Sequence, residues 1–161
     1  MQVDVWLRTI ISKMFKCVHI QYTDEKVDLV LQFIRFGLVG VSNTVISYLL
    51  NVAVLLILKP YGLSWDYVAA NLVAFFLSVL WSFYWNNKYV FQEKDGQKRN
   101  VWKTLLKTYL SYAFTGIVLN NALSYLWIEI VGISKYIAPI INLLISVPLN
   151  FIINKKWAFR A

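Results

Sequence analysis

Ionisable side chains are missing from four long stretches of the sequence. Asp, Glu, Lys and Arg are all absent from residues 36–58, 67–87, 108–128 and 136–154, although a soluble domain carries about 25% charged residues. A helix needs roughly 20 apolar residues to cross the hydrocarbon core of a bilayer. A soluble bundle of buried helices is the alternative, but soluble helices keep a polar face. We therefore predict an all-α integral membrane protein with four transmembrane helices.

The side chains that build most catalytic and metal sites are also scarce. The chain has one cysteine, Cys17, and one histidine, so an internal disulfide is excluded. No carboxylate lies in the four charge-free stretches, whereas a proton-coupled exporter normally needs one inside the membrane. The sequence shows no metal-binding cluster, no phosphate-binding glycine loop and no Ser, His and Asp set for acid–base chemistry. We expect no enzymatic activity, no cofactor and no metal.

The first 31 residues form a region of different character. Apolar side chains recur there at helical spacing, while basic and hydroxyl side chains take the other face. This pattern predicts an amphipathic helix that lies in the membrane interface, followed by a linker. We place the domain boundary after residue 31 and assign 32–161 to a transmembrane domain. The apolar face consists of Val3, Trp6, Leu7, Ile10, Ile11, Met14, Phe15 and Val18.

Basic residues are distributed very unevenly between the ends of the predicted spans. Of the 16 Lys and Arg residues, five lie in residues 1–35, six between the second and third spans, and three in the tail. Only Lys59 and Lys135 remain for the two other loops. Because cytoplasmic loops carry the excess of basic residues, we predict that both termini and the middle loop are cytoplasmic. The net charge of +8 suits a face beside anionic lipid, and we expect no nucleic-acid partner.

The second half of the sequence repeats the first. An offset of 68 residues places Phe83 on Phe151, Asn86 on Asn154 and Phe91 on Phe159, and an offset of 77 places Asn43 on Asn120. The chain is thus a two-helix unit written twice, over about residues 32–95 and 103–161. Each unit has an even number of spans, so both units cross the membrane in the same direction, as parallel two-helix repeats do.

Small and polar residues recur every fourth position within the predicted spans. Residues of this kind let helices pack closely in lipid, and amides can bond across the contact. Such a stripe can therefore be a packing seam, or it can line a lipid-accessible groove. Asn43 and Asn120 are the best candidates for a groove, since they lie well inside the bilayer at equivalent positions.

Two motifs resemble the GtrA-like family of small four-span membrane proteins. They are FIRFGLVGVSNTVISYLL in the first predicted span and NFIINKKWAF after the fourth. The resemblance covers roughly residues 32–160 and extends to the transmembrane domain of some polyprenyl-phosphate mannose synthases. The first repeat departs from the terminal motif, because Ser82 replaces its leading Asn and Asn87 stands where a basic residue is expected.

The resemblance implies a role in the metabolism of lipid-linked sugars. It suggests translocation of a polyprenyl-phosphate-linked sugar across the cytoplasmic membrane, for glycosylation of a cell-surface polysaccharide or teichoic acid. The alternative is a non-transporting subunit that anchors or assembles a polyprenyl-phosphate glycosyltransferase. Membrane glycosyltransferases are the implied partners in both cases, and the small volume enclosed by four spans favours a homo-oligomer.

The residues suited to a lipid phosphate and a sugar are cations at headgroup depth, amides and an interfacial aromatic ring. Each has a second interpretation: the lysines can serve only to set topology, and the ring can serve only as an interface anchor. The candidate binding residues are Arg35, Asn43, Asn86, Lys88, Asn120, Asn150, Asn154, Lys155, Lys156 and Trp157.

Overall fold

The protein is all-helical in the part that the structure, a computed structural model, describes, namely residues 2–17, 22–93 and 98–160. Several helices continue directly into π-helical segments, in which the backbone bonds skip one residue more than in an α-helix. The elements in chain order are α1 Gln2–Cys17, α2 Asp24–Leu58, a 3-10 turn Lys59–Tyr61, α3 Asp66–Trp85, a π segment Asn86–Val90, α4 Val101–Ala113, a π segment Phe114–Leu119, α5 Asn120–Tyr125, a π segment Leu126–Ile130, α6 Ala138–Ile153 and a π segment Asn154–Ala158.

Three of the helices are long and apolar enough to cross a membrane. Within the described residues they are Asp24–Tyr61, Asp66–Val90 and Ala138–Ala158. The chain is therefore an integral membrane protein built from helices, as predicted. From residue 101 to residue 130, α4, α5 and their π segments form a further helical stretch, here called helix 101–130. It contains the third charge-free stretch together with the adjacent amides Asn120 and Asn121, and its crossing of the membrane stays a prediction.

The amphipathic α1 packs against the first turns of α2. Ile11 is buried with Val27 and Leu31, and the Arg8 guanidinium donates a hydrogen bond to the Asp28 carboxylate. Trp6 and Met14 are exposed, at 64% and 63%, on the part of α1 that does not contact α2. The apolar face predicted for α1 thus divides between a protein contact and an outward surface. Of its members, Val18 lies outside the described residues, as does the side chain of Val3.

α2 begins earlier than the sequence pattern indicated. The helix starts at Asp24, so residues 24–31 belong to the long first span helix rather than to a linker. Asp24 and Glu25 occupy the first turn, where negative charge stabilises a helix through its dipole. Asp24 and Glu25 therefore mark the start of a helix within the stretch that was assigned to the linker.

The two repeats end in the same backbone conformation. π segments occupy Asn86–Val90 and Asn154–Ala158, which are 68 positions apart at both ends. In each, the N–H of the following phenylalanine donates to the carbonyl of the first asparagine, at 2.7 Å in one repeat and 2.8 Å in the other. The offset found in the sequence is thus also an offset in the structure.

Phenylalanines from both repeats interlock at this end of the bundle. The Phe83 ring stacks on Phe159, and the equivalent Phe151 stacks on Phe91, each with 5.8 Å between ring centroids. Phe91 and Phe159 stack on one another at 4.7 Å. Each repeat therefore offers the same two rings to the other, and the buried core lies where the ends of α3 and α6 meet.

Candidate functional site

Two clefts and one groove lie near the predicted binding residues. The polar groove, of about 520 Å³, runs between α2, α3 and helix 101–130 and is lined by Asn43, Thr44, Ser47, Asn51, Asn71, Ser78 and Tyr112 among others. The first cleft, of about 760 Å³, includes Arg8, Glu25, Lys26, Asp28, Gln32, Arg35, Gln92 and Lys155. The second cleft, of about 400 Å³, is lined by Lys98, Arg99, Asn100, Lys103, Thr104, Lys107, Lys156, Trp157 and Arg160.

The polar groove lies inside the predicted membrane region. Asn43 is eight residues beyond Arg35 on α2 and therefore about 12 Å deeper along the helix axis, and Asn51 is about 24 Å beyond Arg35. At the far end, the Asn51 amide donates to the Asn71 side-chain oxygen at 2.8 Å. The Asn43 Oδ1 is buried, and the Asn43 side chain makes no hydrogen bond to any residue that the structure describes. A buried side-chain oxygen without a partner is uncommon and costly, and the Oδ1 atoms of Asn86, Asn142 and Asn154 are also buried without a partner in the described structure.

The equivalent place in the second repeat is filled by an amide. The Asn142 Nδ2 donates to the Asn120 Oδ1 at 2.7 Å and to the Ser124 Oγ at 2.8 Å. With the offset of 68, the counterpart of Asn142 in the first repeat is Ala74, which lines the polar groove. Asn43 and Asn120 are equivalent in sequence, but only Asn120 has an amide partner. Asn120 therefore lies in a packing contact between helices, and Asn43 lies at a groove.

Three of the candidate asparagines lie in two hydrogen-bond networks at the starts of the terminal π segments. Asn86 is 0% exposed and donates to the Ser82 Oγ at 3.0 Å. Asn154 is also 0% exposed and donates to the Asn150 Oδ1 at 2.8 Å. Ser111 joins the second network by donating to the Asn150 Oδ1 at 2.9 Å. The Ser82 hydroxyl is 2.6 Å from the Tyr112 hydroxyl, and Asn154 donates to the Ser111 Oγ at 3.1 Å. The two networks thus hold α3 and α6 against helix 101–130, which is the packing role of polar groups in membrane bundles.

The first cleft brings together two of the candidate cations. Arg35 and Lys155 line it from α2 and from the π segment after α6, and the Arg35 Nη1 donates to the Tyr89 carbonyl at 3.3 Å. The cleft also contains Glu25 and the ion pair of Arg8 with Asp28. Its positive charge is therefore partly balanced by carboxylates of the protein.

The second cleft brings together Lys156 and Trp157. Lys107 fixes the Trp157 segment, because its Nζ donates to the Trp157 carbonyl at 3.0 Å and lies 5.5 Å from the centroid of the indole ring. Tyr89 is the counterpart of Trp157 in the first repeat, and its carbonyl accepts a hydrogen bond from Arg35. In each repeat, a cation from the first helix thus donates to the equivalent carbonyl at the end of the second helix.

Lys88 lies in neither cleft. Its Nζ is 5.5 Å, 5.7 Å and 5.3 Å from the ring centroids of Tyr84, Trp85 and Tyr89. A cation over several aromatic rings is attracted by their negative faces. Lys156, at the equivalent position of the second repeat, lines the second cleft instead. The two lysines therefore have different surroundings.

Arg99 was not among the predicted residues, yet it connects the two repeats. Its guanidinium donates to the Phe159 carbonyl at 2.9 Å and also to the Phe91 carbonyl, although these residues end different repeats. The side chain is only 5% exposed and lies near the Glu93 carboxylate. Arg99 is the only arginine among the six basic residues of the middle loop, and its planar fork, which can reach two acceptors, was the one sequence signal that could have singled it out. Lys103 and Lys107 were also missed, although their spacing of four places both on one face of a helix.

Metal ligands are not grouped in the described part of the chain, where no three His, Cys, Asp or Glu side chains come close enough to hold an ion. The site is instead made of amides, hydroxyls and cations. These groups can bind a neutral polar molecule through hydrogen bonds and an anion through charge-assisted hydrogen bonds.

Comparison with known proteins places this arrangement in a family context. The family model described as GtrA/DPMS, transmembrane domain, matches residues 35–159. The chain is 28% identical over 142 residues to the cell wall teichoic acid glycosylation protein GtcA of Listeria monocytogenes serovar 1/2a, covering 86% of this chain and 89% of that protein. It is 26% identical, with the same coverage, to the protein of that name from Listeria innocua serovar 6a.

Proposed function

Because the chain belongs to the GtrA/DPMS transmembrane-domain family, whose model matches residues 35–159, we propose that it moves a polyprenyl-phosphate-linked sugar across the cytoplasmic membrane. The similar Listeria proteins are named for teichoic acid glycosylation. We infer a role in glycosylation of the cell envelope, in which a membrane glycosyltransferase makes or uses the lipid-linked sugar. The protein binds and moves the lipid, and the glycosyltransferase makes and breaks the bonds.

The observation that carries this proposal is the polar groove beside Asn43. A sugar headgroup cannot cross the hydrocarbon region without replacing its bonds to water. The groove offers amides from Asn43, Asn51 and Asn71 and hydroxyls from Thr44 and Ser47 over that depth. Because it is open rather than enclosed within the bundle, the polyprenyl chain can stay in the lipid while the sugar moves along the protein.

The remaining candidate residues fit this proposal at the headgroup layer. Arg35 and Lys155 in the first cleft, and Lys156 and Trp157 in the second cleft, lie at the ends of the long helices. There they can receive the phosphate and the sugar from the cytoplasmic leaflet. Asn86, Asn120, Asn150 and Asn154 act by holding the helices that form the groove.

Leaflet-resolved transport in proteoliposomes tests the proposal. A labelled polyprenyl-phosphate sugar is placed in both leaflets, and its accessibility to an impermeant reagent is followed with and without the purified protein. Asn43→Leu fills the groove and removes an amide that holds no partner within the described structure, so we expect normal folding and at least tenfold slower transport. Asn121→Leu is the matched control, because Asn121 is exposed and bonds only the Ile117 carbonyl. Equal transport by wild type and Asn43→Leu would contradict the assignment of the groove.

Orientation is tested separately with reporters. We propose that both termini and the loop around residue 96 are cytoplasmic. A reporter fused at each of these three places is expected to give a cytoplasmic signal, and reporters near Lys59 and Lys135 an external signal. An external signal from either terminus would reverse the proposed direction of loading.

Docking of a glycosyltransferase without transport is the second candidate function, and the surface around Lys88 favours it. Tyr84 and Tyr89 are 53% and 45% exposed beside this lysine, and aromatic residues are enriched at protein interfaces. Docking alone predicts that wild-type protein adds nothing to lipid exchange in liposomes, and that Tyr84→Ala with Tyr89→Ala weakens co-purification of the glycosyltransferase.

A further inference from the structure

We propose that the second cleft is a binding site for the phosphate group of a lipid carrier at headgroup depth. The identity of the carrier as a polyprenyl phosphate rests on the proposed function. The chemistry of the site, which is that of a phosphate beside an apolar chain, rests on the contacts below.

The charge of the second cleft is of one sign. Six cations line it and no carboxylate does, although Arg99 is paired with Glu93 and Lys107 donates to the Trp157 carbonyl. The side chains of Lys103, Lys156 and Arg160 have no hydrogen-bond or ion-pair partner among the residues that the structure describes. The first cleft differs, because Glu25 and Asp28 line it beside its cations. In the first cleft, carboxylates of the protein balance part of the positive charge. In the second cleft, an anionic ligand would supply that negative charge.

The cations converge because two helices present them at the same spacing. Lys103 and Lys107 are one turn apart on α4, and Lys156 and Arg160 are four residues apart at the end of the α6 region. Lys98 and Arg99 complete the set from the segment before α4. α4 begins in the cleft at its cap residue Asn100, whose side chain accepts from the Lys103 N–H. The start of a 13-residue helix adds a partial positive charge to the same place.

Trp157 gives the cleft an apolar edge. Its side chain is 44% exposed, and Lys107 holds the segment by its carbonyl at 3.0 Å. A ring fixed in this way can contact the first isoprene units or a sugar face while the phosphate meets the lysines. A volume of about 400 Å³ also falls in the usual range for small-molecule sites, roughly 300–1,000 Å³. These features favour a lipid phosphate over an extended polyanion.

Lipid binding to the purified full-length protein, measured by native mass spectrometry, tests the site. The probes are undecaprenyl phosphate, the neutral alcohol undecaprenol and phosphatidylglycerol, with inorganic phosphate as a competitor. Wild-type protein is expected to bind undecaprenyl phosphate at least tenfold more tightly than undecaprenol. Lys103→Gln with Lys156→Gln removes two cations near the headgroup and is expected to weaken that binding about 10- to 30-fold.

Lys13→Gln with Lys16→Gln is the matched control. Both lysines are exposed on α1 and line none of the three cavities, so the same loss of charge should leave binding within about twofold of wild type. An equal loss in both double variants would overturn the site in favour of a general charge effect.

The measurements with phosphatidylglycerol and inorganic phosphate identify the source of the bound phosphate. Equal affinity for phosphatidylglycerol and undecaprenyl phosphate would overturn the carrier assignment, because the cleft would then hold bulk anionic lipid. Displacement of undecaprenyl phosphate by millimolar inorganic phosphate would overturn the need for a lipid chain. Selective binding by a protein that fails in the transport assay would support the cleft and reject the proposed translocation, so the two ideas can fail separately.

Discussion

The first and second repeats share a scaffold and differ in what they leave open. Both end in a π segment that begins at a fully buried asparagine, and both exchange the same pair of phenylalanines. In mid-membrane, however, the second repeat joins Asn142 to Asn120, whereas the first repeat has Ala74 and leaves Asn43 without a bond in the described structure. The polar groove therefore lies where the first repeat has Ala74 in place of the amide of Asn142.

The ends of the two repeats also differ, but there it is the second repeat that has side chains without partners in the described structure. The first repeat covers its cations with α1 and with Glu25 and Asp28. In the second cleft only Arg99 is paired with a carboxylate, that of Glu93, among the residues that the structure describes. A duplicated unit has thus become specialised at two depths. The first repeat contains the polar groove, and the second contains most of the basic cleft that we propose binds a lipid phosphate.

Removing a ring from the shared core is expected to have the largest effect. In soluble cores Phe→Ala costs about 3–5 kcal/mol, and Phe91→Ala and Phe159→Ala each break two ring contacts with the other repeat. We expect the two variants to lose similar stability in detergent-denaturation measurements, and the double variant to lose less than the sum because the rings touch. Phe114→Ala, at a ring that is 46% exposed, is the control and should cost little. A large difference between Phe91→Ala and Phe159→Ala would break the equivalence of the repeats.

Replacing Arg99 should have the next largest effect. Arg99→Gln loses charged hydrogen bonds to the carbonyls of Phe91 and Phe159, each worth about 1.5–3 kcal/mol when buried. Arg99→Lys keeps the charge but lacks the planar fork that reaches two acceptors, so its stability should fall between wild type and Arg99→Gln. Arg160→Gln removes an exposed cation of the same kind and should unfold as wild type does. Wild-type stability of Arg99→Gln would show that the repeats are joined without this side chain.

Exchanging the mid-membrane residues should have opposite effects in the two repeats. Asn142→Ala removes the partner of Asn120 and is expected to cost about 0.6–1.7 kcal/mol, the range for side-chain hydrogen bonds in membrane bundles. Ala74→Asn gives Asn43 a partner, so it should raise stability by a similar amount while slowing lipid-sugar transport. Unfolding and proteoliposome transport are measured on the same preparations. Faster transport by Ala74→Asn would contradict the view that an unpartnered Asn43 keeps the groove polar.

Loosening α1 should give the smallest effect and concerns the first repeat alone. Asp28→Asn breaks the exposed ion pair with Arg8, and such pairs contribute about 0.2–1 kcal/mol. A spin label on Cys17, the only cysteine of the chain and exposed at the end of α1, should become more mobile in Asp28→Asn. In the wild type, high salt should have a similar effect because it screens the pair. Unchanged label mobility in both experiments would mean that Ile11, Val27 and Leu31 hold α1 without the ion pair.

The charge-free stretches were enough to predict the helical membrane fold, and the resemblance of two motifs to the GtrA-like family was enough to predict the family. Charge-free stretches and the offset of 68 residues report burial in lipid and duplication, which are properties of the whole pattern. The difference between Asn43 and Asn120 could not be predicted, because it depends on a third residue at position 74 or 142 on another helix. The role of Arg99 was equally hidden, since a basic residue in a basic loop looks the same whether it meets water or two carbonyls. The start of α2 at Asp24 was missed because acidic residues favour both turns and first helical turns.

The reciprocal stacking of phenylalanines has a consequence for assembly. Two copies of one surface that contact each other with the same residues form the kind of interface found between the subunits of a two-fold symmetric dimer. Here both copies are in one polypeptide, and a single arginine near their junction contacts the two chain segments at once. A free half of this protein would need a second half to bury those rings. The tandem chain instead carries its partner with it, at a fixed stoichiometry of one to one, and that surface is already occupied before any other subunit arrives.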